Sequence, residues 1–279
     1  MRSYQQLLES LRQESASGSY VQNLITIGAI EGGGAAPLSY ASMQLLLELQ
    51  NLHGLSGDLL EIGVFHGHTL GLLASASRQG EIAIGGDIDP VTLKAAAERI
   101  RKELCAALPW LFIKEINCSS ASLEFRRALL TNAGNTGVRF AHIDGEHSYE
   151  LAKRDMELCD EVMAPWGLIC VDDVFNLGSP SVTEALFAFN SQRDWELLLF
   201  TPGKAFLCRP RYFPFYRKLL IQISNLLRDL LGMQSGMAVT THDSDQGYLS
   251  IFETEGPYYQ VVGKSFTRFE DFQNWHQQP

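Results

Sequence analysis

From Asp58 onward, short apolar runs alternate with stretches whose apolar residues recur every three or four positions. That alternation is the pattern of βαβ units wrapped around a parallel sheet. The apolar runs predict strands at Asp58–Val64, Glu81–Asp87, Leu111–Asn117, Val138–Asp144 and Gly167–Asp172. Helices are predicted between them over Thr69–Ser77, Pro90–Leu108, Ser122–Asn132 and Tyr149–Met163, and a further one at Val182–Ser191. The last two runs, Trp195–Phe200 and Ala205–Arg209, are separated only by Thr201-Pro-Gly-Lys204. A linker that short cannot carry a helical crossover, so this pair is expected to be antiparallel.

The flanks read differently and divide the chain into 1–57, 58–209 and 210–279. In the first part, Leu7, Leu8 and Leu11 predict a helix over Tyr4–Arg12, and Met43, Leu46, Leu47 and Leu49 predict another over Ser39–Leu52. Glu31-Gly-Gly-Gly34 and Pro37 mark a break between the two. In the last part, Leu219, Ile223, Leu226, Leu227 and Leu230 give Phe215–Leu231 one apolar helical face. Gly232–Gln246 reads as loop, and Tyr248–Phe252 with Tyr258–Val262 are expected to form a hairpin. A leucine stripe must be buried somewhere, so 210–279 is expected to form a lid or a subunit contact in a homo-oligomer. Arg217, Lys218 and Arg228 leave docking at a membrane surface as the alternative.

Composition narrows the partners. The 279 residues are 46% hydrophobic and 19% charged, with 22 basic against 32 acidic side chains and a formal charge of −10. That balance argues against nucleic acid as the main partner. The five cysteines, Cys105, Cys118, Cys159, Cys170 and Cys208, include no C-x-x-C pair, so neither a disulfide framework nor a zinc site is expected. Met1–Gln22 has no apolar core of a secretory signal, and no run of roughly 18 apolar residues marks a membrane span. A reduced, cytoplasmic protein without a transmembrane segment is the expectation.

Candidate chemistry begins at the end of the first strand, Glu61-Ile-Gly63-Val-Phe-His-Gly67. Glycines between a strand and a helix allow a tight turn and close approach to a ligand. The dinucleotide fingerprint needs a middle glycine to make room for a pyrophosphate, and Phe65 or His66 stands there instead, which disfavours NAD. Asp87 closes the second strand 20 positions after Gly67. It is suited to ribose hydroxyls, or else it caps the helix that Pro90 begins. This segment resembles the first motif and acidic loop of the class I S-adenosylmethionine-dependent methyltransferases. The resemblance implies a Rossmann-like α/β fold with a seven-stranded sheet whose last pair is antiparallel. It also implies that Glu61, Gly63 and Gly67 shape the methionine pocket, that Asp87 holds the ribose, and that Cys118 and Ser119 flank the adenine. Ser119 is equally well read as a helix cap.

The second half is more specific. It carries Ile143-Asp144-Gly-Glu-His147-Ser-Tyr149, then Asp155, then Pro165-Trp-Gly167 and Asp172-Asp173. Parallel neighbouring strands would gather Asp144, Asp172 and Asp173 at one sheet edge, and clustered carboxylates repel unless compensated. With no Lys or Arg in either motif, a divalent ion such as Mg²⁺ or Mn²⁺ is the expected counter-charge. The alternatives are helix capping and direct binding of an acceptor hydroxyl. His147 is suited to take a proton near neutral pH, or else it braces the turn. This pattern resembles the metal-dependent O-methyltransferase branch that includes macrolide sugar (macrocin-type), catechol and caffeoyl-CoA enzymes. His147 matches the histidine of the sugar enzymes, while Trp166 departs from the usual P-G-G. The resemblance implies methyl transfer to a hydroxyl of a small molecule, a sugar, glycoside or phenolic. A non-catalytic adenosyl-binding protein on the same fold is the alternative.

Overall fold

Five parallel strands form the centre of the sheet: β1 (Asp58–Ile62), β2 (Ile82–Asp87), β3 (Phe112–Asn117), β4 (Val138–Ile143) and β5 (Met163–Val171). They are linked by α2 (His68–Ser75), α3 (Pro90–Leu104), α4 (Leu123–Asn132) and α5 (Tyr149–Val162), with α1 (Pro37–Leu52) preceding β1. After α6 (Pro180–Gln192) come β6 (Glu196–Thr201) and β7 (Lys204–Cys208). The computed structural model describes residues 37–133, 136–221, 235–239, 248–253, 259–261 and 264–266. The helix expected at Tyr4–Arg12, the break at Glu31–Gly34 and residues 222–231 of the leucine-rich helix lie outside the described residues.

The order β3-β2-β1-β4-β5-β7-β6 reverses between β1 and β4, the switch point at which open α/β sheets take ligands. Every residue of β1 and β4 is buried, as expected where helices cover both faces of a parallel sheet. One face packs Met43, Leu46 and Tyr216 against Phe140 and Phe206. The other packs Phe125, Met156 and Phe189 against Ile143 and Ile169. As the short linker required, β7 runs antiparallel to both β5 and β6.

Two sequence expectations change. The fifth strand starts at Met163 because Ala164–Gly167 bulge outward, the register jumping from Val138↔Met163 to Phe140↔Leu168. Trp166 fastens that bulge. Its indole donates to the Ser56 carbonyl at 2.9 Å, and its own carbonyl accepts from the Tyr216 hydroxyl at 2.6 Å.

The second change concerns the extension, which continues the sheet beyond β6. β9 (Leu249–Glu253) lies parallel to β6 and antiparallel to β8 (Ser235–Val239), followed by β10 (Tyr259–Val261) and β11 (Lys264–Phe266). The two segments expected to form a hairpin with each other are separated by β8, which pairs with both. Among the described residues the sheet has eleven strands. All five cysteines are free, and no helix among the described residues is long and apolar enough to cross a membrane.

Candidate active site

The glycine turn is built around close backbone approach. Gly63, at φ 86, donates to the Gly86 carbonyl at 2.8 Å, and a Cβ at this position would overlap the Asp144 carbonyl oxygen. Gly67 precedes α2 in a left-handed conformation, where a Cβ would meet that of Ala96 at 2.7 Å. Asp87 then holds the loop between them. Its Oδ2 accepts the amides of Val64 and Phe65 at 2.9 and 2.8 Å, and its Oδ1 accepts that of Asp89 at 2.9 Å. Capping of α3 falls to Asp89, which accepts from the Val91 amide at 3.0 Å. Ser122, not Ser119, caps α4 through the Phe125 amide at 3.0 Å.

Two cavities open on this turn. One, of about 660 Å³, is lined by Asp87, Ile88, Cys118, Ser119 and Phe125 and reaches Asp144 and His147. The other, of about 440 Å³, is lined by Tyr40, Glu61, His66, Gly67, Asp172 and Asp173 among others. Gly63, Phe65 and Asp144 belong to both. Of the expected cofactor residues, Asp87, Cys118 and Ser119 therefore lie together on the larger cavity, and Glu61 and Gly67 on the smaller.

At the junction the structure brings together Asp144, His147 and Asp173, whose ligand atoms lie within 4.8 Å of one another. His147 Nε2 is 3.0 Å from Asp173 Oδ2 and 3.7 Å from Asp144 Oδ1. Burial, reinforced by the charge of Asp172, pushes the Asp144 carboxyl up to about 8.

Asp172 is differently placed. Its Oδ2 pairs with the Lys204 ammonium, which is 1% exposed, so a lysine does provide counter-charge here. Burial raises the Asp172 carboxyl, but Lys204 outweighs it and leaves the acid below its ordinary range. Lys204 Nζ also lies 2.9 Å from His142 Nε2, whose Nδ1 is 3.2 Å from Glu61 Oε1. Burial and the lysine charge depress His142 to about 3, and burial lifts Glu61 well above the ordinary range, with Asp144 adding to it. His142 is therefore neutral near pH 7. Lys204 and His142 were not among the expected site residues. The antiparallel β5–β7 pairing, which sets Val171 opposite Ala205, was the signal that could have placed Lys204 beside Asp172.

Residues 60–174 match the family described as a methyltransferase domain. No curated protein sequence matches the chain. Among solved structures, the TDP-rhamnose 3′-O-methyltransferase of calicheamicin biosynthesis is 17% identical, with a TM-score of 0.51 over 75% of this chain and 96% of that one. An O-methyltransferase from Bacillus cereus in complex with S-adenosylhomocysteine is 14% identical, with a TM-score of 0.48 over 72% and 90%. The O-methyltransferase TomG from Streptomyces achromogenes, in complex with S-adenosylmethionine, is 14% identical, with a TM-score of 0.47 over 72% and 89%. The strand order, the glycine turn and the matched segment agree: residues 60–174 are similar to a methyltransferase domain, and the sheet has the fold of the TDP-rhamnose 3′-O-methyltransferase.

Proposed function

We propose that the protein transfers the methyl group of S-adenosylmethionine to a hydroxyl of a small molecule. The observation that carries this reading is the meeting of two cavities at Gly63, Phe65 and Asp144, with an acid–histidine cluster at the junction. The adenosine half fits the larger cavity, with Asp87 toward the ribose and Cys118 and Ser119 beside the adenine. The methionine half crosses Gly63 toward Glu61 and Gly67. Glu61 Oε2 is buried without a hydrogen-bond partner, which supplies a polar contact for the methionine end. The acceptor enters through the smaller cavity.

Asp144 and Asp173 would hold a divalent cation, Mg²⁺ or Mn²⁺, and their chemistry fits one. Two carboxylates converge with a histidine at the junction of the cavities, an oxygen-rich donor set of the kind that suits a hard cation. Bound there, the ion would make the acceptor hydroxyl easier to deprotonate. His147 takes the hydroxyl proton, its ring oriented by Asp173, so the pair acts as an oriented base. The acceptor oxygen then attacks the methyl carbon in line as the carbon–sulfur bond breaks, releasing S-adenosylhomocysteine. Placement of the two reactants supplies most of the rate.

The test is incubation with isotopically labelled S-adenosylmethionine and a panel of sugars, glycosides and phenols, with products read by mass spectrometry. Methylated product bearing a new O–CH₃ group supports the reading. Tight S-adenosylhomocysteine binding with no turnover across the panel would point to an adenosyl-binding protein instead.

A further inference from the structure

Lys204 is the first residue of β7 and belongs to none of the binding motifs of the chain. Burying an ammonium is costly unless it is paired, and this one is paired to Asp172 and set against His142. With the His142–Glu61 contact, one buried row of side chains joins the end of β1 to the end of β5. Asp172 turns back and accepts the Asp173 amide on Oδ1 at 2.9 Å. Asp173 itself takes φ 57, a left-handed conformation that a non-glycine residue keeps where its surroundings hold it. From that turn its carboxylate reaches His147 Nε2 at 3.0 Å.

We infer that Lys204 is a positioning residue: by fixing Asp172 it holds the Asp172–Asp173 turn that presents Asp173 to His147. The arrangement assigns unlike tasks to two adjacent acids. Asp172 borders the cavity too, but its carboxylate is paired to the lysine and braces the backbone, while that of Asp173 reaches His147. The consequence for turnover rests on the methyl-transfer reading above; the geometry of the pair does not.

The experiment compares full-length wild type with Lys204→Met and Lys204→Arg by nitrogen-15 NMR of the His147 imidazole, assigned by its loss in His147→Ala. Lys204→Met is expected to shift the His147 signals toward those of a solvated imidazole. It should lower kcat by about tenfold or more while S-adenosylhomocysteine affinity stays within about twofold. Lys204→Arg keeps a cation for Asp172 and is expected to return both the signals and the rate most of the way. If Lys204→Met does not fold, Lys204→Met with Asp172→Asn removes both charges together, and the same shift is expected. Unaltered His147 signals in a folded Lys204 variant overturn the inference. A wild-type protein that methylates nothing, while its His147 signals still respond to Lys204, overturns the functional reading alone.

Discussion

The carboxylate of Asp87 accepts the backbone amide of Phe65 at 2.8 Å, and Phe65 takes φ 44 there. The acid that ends the second strand thereby holds the strained turn that leaves the first. Asp87→Ala removes this hold together with the proposed ribose contact. S-adenosylhomocysteine affinity is expected to fall by roughly 1.5–3 kcal/mol, the usual worth of hydrogen bonds to a charged group. Isothermal titration checks it, with Asp89→Ala as the contrast: that variant loses only a helix cap and should keep its affinity. Equal affinities in wild type and Asp87→Ala would sink the assignment.

His147 is expected to carry the proton transfer. His147→Ala should slow single-turnover methyl transfer roughly 10²–10⁴-fold, the range of a positioned base, with cofactor affinity unchanged. A rate within a few-fold of wild type would reduce His147 to a brace for the turn.

Chelation separates the cation from the base. EDTA is expected to abolish turnover, and Mg²⁺ or Mn²⁺ to restore it, while Asp173→Ala loses Mn²⁺ binding by calorimetry. If Asp144 and Asp173 hold the acceptor hydroxyl directly, EDTA leaves the rate untouched.

Asp155 offers a prediction independent of catalysis. It is fully buried beneath Gly145, and burial raises its carboxyl from 3.8 to about 6, the nearby Ser120 side chain pulling the other way. A raised folded-state value means that the folded chain holds the proton longer. Stability contributed by the neutral acid is present at low pH and declines as pH rises from about 4 to about 6, by up to roughly 3 kcal/mol. Urea unfolding should therefore find Asp155→Asn more stable than wild type at pH 8, with the gap closing at pH 4. A gap of the same size at both pH values would contradict this.

The core of the fold was legible because buried parallel strands write themselves as apolar runs. The strand expected at Leu111–Asn117 is found at Phe112–Asn117, and the helix expected at Tyr149–Met163 at Tyr149–Val162. Asp144 and His147 were legible because they stand only three positions apart in one loop. Lys204 was not, because its meaning depends on which residue of β5 lies opposite it. Register is set by packing across the sheet and leaves no local trace. For the same reason β8 was missed. Met237 and Val239 read as part of a polar loop until β9 is beside them.

The pairing of β6 with β9 has a consequence for how the chain is made. Glu196–Thr201 leaves the ribosome well before Leu249–Glu253, so one long edge of the nascent sheet stays open while the intervening segment is synthesised. That edge presents Leu199 and Phe200, apolar residues on a strand with unpaired backbone groups, which is the template on which chains associate with one another. A chain terminated before residue 249 would keep the acids of the candidate site and its glycine turn and is expected to be prone to precipitate. The last strands thus cover an edge that β6 would otherwise leave open.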